Sequence, residues 1–277
     1  KRGMLTVNYS TTGVFPRVLY YNQDTEGKIS LEHSNFGRNK NSSVDSFKPK
    51  KNSKNLLYTI PIMPKNYKTE VDFFPTYPNQ NSPYIIKVRK NSLKGKNLTI
   101  KKIELSKNKP YGQLNENPSK ETTFLDINIT NKDKLPNRFH VAQYYSKNKS
   151  LPGIVLDGPL PRNTQGVRTR WTPFFTKAKD LSSKIYICSR NFDKNKINRK
   201  VYVNISLIGG LKKEKIIINK TLDLKENFIL DVSKIIKKNK WKSNFGWAYI
   251  KFKEPSHNTV FFISDYGKSS IVSNHAF

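Results

Sequence analysis

Short apolar and aromatic runs recur along this chain, separated by clusters of Gly, Pro, Asn, Asp and Lys. In the second half they predict strands over Trp171–Phe175, Lys184–Arg190, Val201–Ile208, Lys215–Leu222, Asn227–Val232, Gly246–Phe252, Thr259–Ser264 and Ser270–Phe277. Residues 201–207 alternate with period two over part of their length. The starts fall 11–19 residues apart, close to the rhythm of a β-sandwich of immunoglobulin-like type. Gly209-Gly210 and Tyr266-Gly267 read as turns, and Asp193–Lys200 as an exposed hairpin loop. Asp231 and Ser233 are cap candidates for one short helix over Asp231–Asn239. No segment sustains a 3.6-residue apolar stripe.

The first half reads in the same way but is more interrupted. It predicts strands over Val14–Tyr21, Lys28–His33, Leu56–Met63, Thr69–Phe74, Tyr84–Arg89, Leu98–Leu105, Thr123–Ile129, Arg138–Tyr145 and Gly153–Leu156. Prolines 61, 64, 75, 78 and 83 hold their segments to edges or strand ends. Arg38–Asn55 reads as a long polar loop. Asp157–Arg170 has few apolar residues and holds Gly158, Pro159, Pro161 and Gly166, as a linker does. The expectation is an all-β protein of two tandem β-sandwich domains. These are residues 1–160, and residues 161–277 as an immunoglobulin-like domain. A faint echo, Val14 to Phe36 against Val260 to Phe277, hints that the two are related.

Charge changes the picture most. Lys plus Arg number 51 against 20 Asp plus Glu, a net charge of +31. The excess is even, +16 over residues 1–165 and +15 over the rest. Lys outnumbers Arg by 41 to 10 and Asn is abundant, so part of the excess is compositional drift. Self-repulsion at this charge disfavours the compact state unless something neutralises it. An anionic polysaccharide, a nucleic acid or an acidic neighbouring subunit would do so. Aromatics at 12% provide core material that the 35% hydrophobic content alone would leave thin.

Candidate chemistry is sparse. Cys188, the single cysteine, lies in a strand-like run and reads as a buried, inert thiol. No two of His33, His140, His257 and His275 fall within five residues of each other, so no metal spacing exists. No phosphate loop, dinucleotide fingerprint or nucleophile elbow occurs, and no cofactor is implied. Glu70, Asp72, Asp157 and Asp265 are the acids a glycan-active enzyme could use, but nothing singles out a pair. The sequence therefore leans away from catalysis.

Arg162, Arg168, Arg170 and Trp171 are the candidate ligand-binding residues. Arginine is scarce here, so a cluster stands out. Guanidinium groups grip carboxylate, sulfate or phosphate, and a neighbouring indole can stack on a sugar or a base. The paired aromatics Tyr20-Tyr21, Phe73-Phe74 and Tyr144-Tyr145 should each turn one ring outward. Residue 1 is Lys rather than Met, which points to a processed chain, and seven Asn-x-Ser/Thr sequons add weak support for secretion. No apolar run is long enough to span a bilayer as a helix. The resulting expectation is a non-catalytic structural or binding subunit of a surface, extracellular or virion assembly. It would be a homo-oligomer or part of a larger complex and would engage acidic partners. An anionic-glycan module or glycan-active enzyme, and a nucleic-acid-binding coat protein, are the rivals.

Overall fold

The computed structural model describes residues 19–23, 29–33, 55–75, 82–109, 111–132, 139–147, 152–157, 160–161, 169–176, 180–190, 200–210, 214–223, 225–253, 257–268 and 270–276. The predicted loop at 38–54, the hairpin loop at 193–199 and the linker positions 162–168 lie outside them.

Nineteen strands and one short helix are described. A two-stranded hairpin comes first, β1 (Leu19–Gln23) with β2 (Ile29–His33). The first half then supplies β3 (Asn55–Ile62), β4 (Lys68–Pro75), β5 (Tyr84–Asn91), β6 (Asn97–Leu105), β7 (Gly112–Glu116), β8 (Thr123–Thr130), β9 (Phe139–Ser146), β10 (Gly153–Asp157) and β11 (Leu160–Pro161). The second half supplies β12 (Thr169–Phe175), β13 (Ser182–Arg190), β14 (Lys200–Gly209), β15 (Lys215–Asp223), β16 (Asn227–Asp231), helix α1 (Val232–Lys238), β17 (Phe245–Phe252), β18 (His257–Asp265) and β19 (Ile271–His275). Asp231 caps α1, its carboxylate accepting from the Lys234 amide at 3.0 Å.

Besides the hairpin there are four antiparallel sheets, and the two halves repeat one strand order. In the first half one sheet runs β3-β8-β5-β6, with β11 added beside β3, and the other runs β7-β4-β9-β10. In the second half they run β12-β17-β14-β15 and β16-β13-β18-β19. Counted from β3 or from β12, each half places its first, sixth, third and fourth strands together, and its fifth, second, seventh and eighth. The faint echo in the sequence falls elsewhere, because the repeated order matches β18 and β19 with β9 and β10.

Alternation decides which residues face in. On β14, Val201, Val203, Ile205 and Leu207 are buried, and Gly246, Ala248, Ile250 and Phe252 answer them on β17. These join Ile185, Ile187, Leu230 and Val260 from the opposite sheet in one core. Gly246 is needed where it stands, since a Cβ there would lie 2.5 Å from the Phe174 ring.

β13 and β18 are buried on both faces, so they read as near-continuous apolar runs. The faces of these strands away from β14 and β17 carry Tyr186, Cys188, Phe261 and Ile263 into the first-half core, where Ile271 of β19 joins them. Tyr58 and Phe261 meet edge to face at 5.8 Å. Gly153 of β10 lets β19 approach closely: a Cβ would lie 2.7 Å from the Ser273 Oγ.

Candidate functional site

The outer face of the β12-β17-β14-β15 sheet does not follow the usual pattern of apolar in and polar out. Successive strand residues point to opposite faces. β17 turns Gly246, Ala248 and Ile250 inward and Phe245, Trp247 and Tyr249 outward. Over residues 245–249 the large side chains are therefore on the water side. Trp171 is 41% exposed, Trp247 38%, Tyr249 47%, Tyr202 46% and Ile217 56%.

Register gathers all of these but Tyr202, which lies two rows away on β14, into a patch. Trp171 stands opposite Tyr249, Tyr249 opposite Ser206, and Ser206 opposite Ile217. One step along, Pro173, Trp247, Ile208 and Lys215 form the next row. The Trp171 and Trp247 rings sit 5.8 Å apart with planes at 65°, and Phe245 meets Trp247 at 6.4 Å and 87°. Covering one such ring is worth about 2 kcal/mol, taking ~25 cal/mol per Å² over its exposed part. A patch of several rings is a surface suited to a ligand or partner.

The rim is cationic. Lys200, Lys215 and Lys251 are exposed at outward-facing positions of the same strands. Asp223, opposite Lys200, is the one acid at an outward position among the described residues of this sheet. Asn204 donates to Asn219 at 2.8 Å, which ties up those amides at one end.

Of the four residues singled out by sequence, Trp171 lies on this face. Arg170 faces the opposite way, and its guanidinium donates to the Asn258 side-chain oxygen at 3.1 Å and to its backbone carbonyl at 3.4 Å. Arg170 thus ties β12 to β18, and the two neighbours in sequence work on different faces. Arg162 and Arg168 lie outside the described residues. The residues sequence reasoning passed over are Trp247, Tyr249, Phe245, Tyr202 and Ile217. The signal was the aromatic alternation of 245–249, whose inward partners are too small to fill a core alone.

The other chemistry-bearing groups are committed to the fold. Arg190 is buried between the halves and bonds Asp126 through Nε at 3.1 Å and Nη2 at 3.0 Å, and Asn227 at 2.8 Å. Thr59 and Asn91 also donate to Asp126, each at 2.8 Å. Asp265 accepts from Tyr67, from Lys147 at 3.0 Å and from the Gly267 amide at 2.8 Å. Burial pushes the Tyr67 hydroxyl well above its ordinary range, and the bond to Asp265 adds to this. Cys188 is a free, buried thiol that burial pushes up to about 12, so it is inert as a nucleophile at neutral pH. Of the paired aromatics, Tyr145 and Phe73 are buried and Tyr144 is half-buried; the side chains of Tyr20, Tyr21 and Phe74 lie outside the described set.

Among the described residues no group of three or more His, Cys, Asp or Glu is placed to hold a metal ion. None of their helices is long and apolar enough to cross a membrane. No family model, curated protein or solved structure matches the chain.

Proposed function

We propose that this chain is a non-catalytic binding subunit of a surface, extracellular or virion assembly. It engages an acidic partner through the outer face of the β12-β17-β14-β15 sheet. One observation carries the reading: a contiguous aromatic patch lies open to water and is rimmed by Lys215 and Lys251, with Lys200 farther along β14 on the same face. Aromatic rings supply contact area at low entropy cost, and surrounding charges steer an oppositely charged partner. The net charge of +31 acts in the same direction.

In this reading residues 1–160 and 161–277 are two tandem sandwich domains. The separate sheet pairs of β3–β11 and β12–β19 support that division. An immunoglobulin-like sandwich groups the seventh strand with the third and sixth. Here β18 lies beside β13 instead, so the strand order departs from that arrangement.

Retention on immobilised heparin and on DNA, eluted with rising salt, tests the polyanion reading. Retention well past physiological ionic strength, about 0.15 M, is expected. Elution at or below that strength on both columns would overturn it. A homo-oligomer built on the same face is the second reading, favoured by the size of the apolar patch. Light scattering that gives a monomer at high concentration would remove it.

A further inference from the structure

Resting on the reading above, we infer that the aromatic face binds a soluble, twisting anionic polysaccharide. Trp171 and Trp247 would be the stacking rings, and Lys200, Lys215 and Lys251 the groups that meet its carboxylates or sulfates. A pyranose ring has an apolar C–H face and a rim of hydroxyls. An exposed indole covers the first and leaves the second in water.

Ring geometry restricts the kind of chain. The Trp171 and Trp247 planes differ by 65° and those of Phe245 and Trp247 by 87°. Two planes so inclined cannot both lie flat on a ribbon of coplanar sugars, so the flat face of a crystalline polysaccharide does not fit. A chain whose successive sugars rotate can present one face to each ring in turn. Among the described residues no element crosses the patch, so it can take the middle of a long chain as readily as its end.

The charges narrow the choice further. The outward positions hold three lysines and one acid, Asp223, among the described residues. A neutral glycan would leave this charge unanswered, whereas a polyuronate or sulfated chain offsets it. No arginine occupies an outward position of these strands among the described residues, and Arg170 points inward. Arginine forks favour phosphate and nucleic acid; lysines act as point charges that tolerate the varied spacing of anions along a polysaccharide.

The test is a tryptophan fluorescence titration of the whole chain at physiological salt with sodium alginate, heparin, neutral dextran and poly(dT). Trp241 lies in the core, so a change reports on Trp171 and Trp247. A saturating change with alginate or heparin and none with dextran is expected. Trp171→Ala with Trp247→Ala should weaken binding to the preferred polyanion at least tenfold, read by affinity electrophoresis. Lys200→Gln, Lys215→Gln and Lys251→Gln together should weaken it similarly while leaving the fluorescent rings in place. Thermal unfolding of each variant checks the fold. Tighter binding of poly(dT), equal binding of dextran, or unchanged affinity in both variant sets would each overturn the inference. If the double tryptophan variant still holds to heparin as firmly as the parent, the wider polyanion reading stands and this one falls. If the parent itself elutes early from both heparin and DNA, both fall.

Discussion

The β3-β8-β5-β6 sheet of the first half and the β12-β17-β14-β15 sheet of the second share a strand order, yet their outer faces differ. Across the first, Thr59, Asp126, Arg89 and Ile100 stand in one row. Across the second, Trp171, Tyr249, Ser206 and Ile217 do. The polar row is the one that the other half partly covers, with Arg190 bonded to Asp126 and the Thr259 hydroxyl donating to the Thr59 carbonyl at 2.8 Å. The aromatic row is the one left open. Burial alone would predict the reverse. Where the halves meet, Thr59 and Asp126 find directional partners, which fixes how they dock, while Arg89 and Ile100 farther along the row stay exposed. The open face is apolar although no described element covers it, and that imbalance is what a ligand would relieve.

The comparison can be broken first at the covered face. Arg190→Ala should remove about 3 kcal/mol of stability, at the low end for a broken buried pair because Asp126 retains some water. Urea unfolding measures it; a loss below about 1 kcal/mol would show that the polar contact does not hold the halves.

A pH series probes the same junction, since Cys188 of β13 packs there into the first-half core. The folded thiol, raised by burial to about 12, stays neutral where the unfolded thiol begins to ionise near 9. Its contribution is therefore complete below pH 9 and fades as pH rises toward 12, by about 1.4 kcal/mol per unit. Between pH 8 and pH 10, Cys188→Ala should lose roughly 1 kcal/mol less than the parent. Parallel slopes would mean that water reaches this layer.

The smallest effect belongs to the open face. Trp247→Ala should change stability by less than about 1 kcal/mol, as surface substitutions do. A larger loss in a denaturant titration would make the ring structural and weaken the case for a ligand.

Most strands were legible because each carries its own apolar alternation between turn residues. β7 was not, because Gly112–Glu116 offers a single large inward residue, Leu114, and is held by pairing with β4. β11 escaped for the same reason, being two residues against β3. The helix was legible through its cap, and the structure uses Asp231 for it. Trp171 was singled out for the arginines around it, and the structure gives it different company. Tyr249 and Trp247 are far along the chain and are brought beside it by register alone. The Arg190–Asp126 pair was equally invisible, because nothing local to either residue announces a partner 64 positions away. Strand order is a long-range property as well, which is why the sandwich rhythm was readable and the repeated order was not.

The docking of β13, β18 and β19 against the first half has a consequence for synthesis. Phe261, Ile263 and Ile271 are made after all of β3 to β10, yet they line the core built around those strands. The N-terminal sandwich therefore leaves the ribosome with one wall missing. Each half also closes few hairpins, β5 with β6 and β9 with β10 in the first, β14 with β15 and β18 with β19 in the second, so most pairings span distant segments and form slowly. A chain that stops before residue 257 would leave that apolar flank uncovered, in the kind of state that chaperones bind and that aggregates at high concentration.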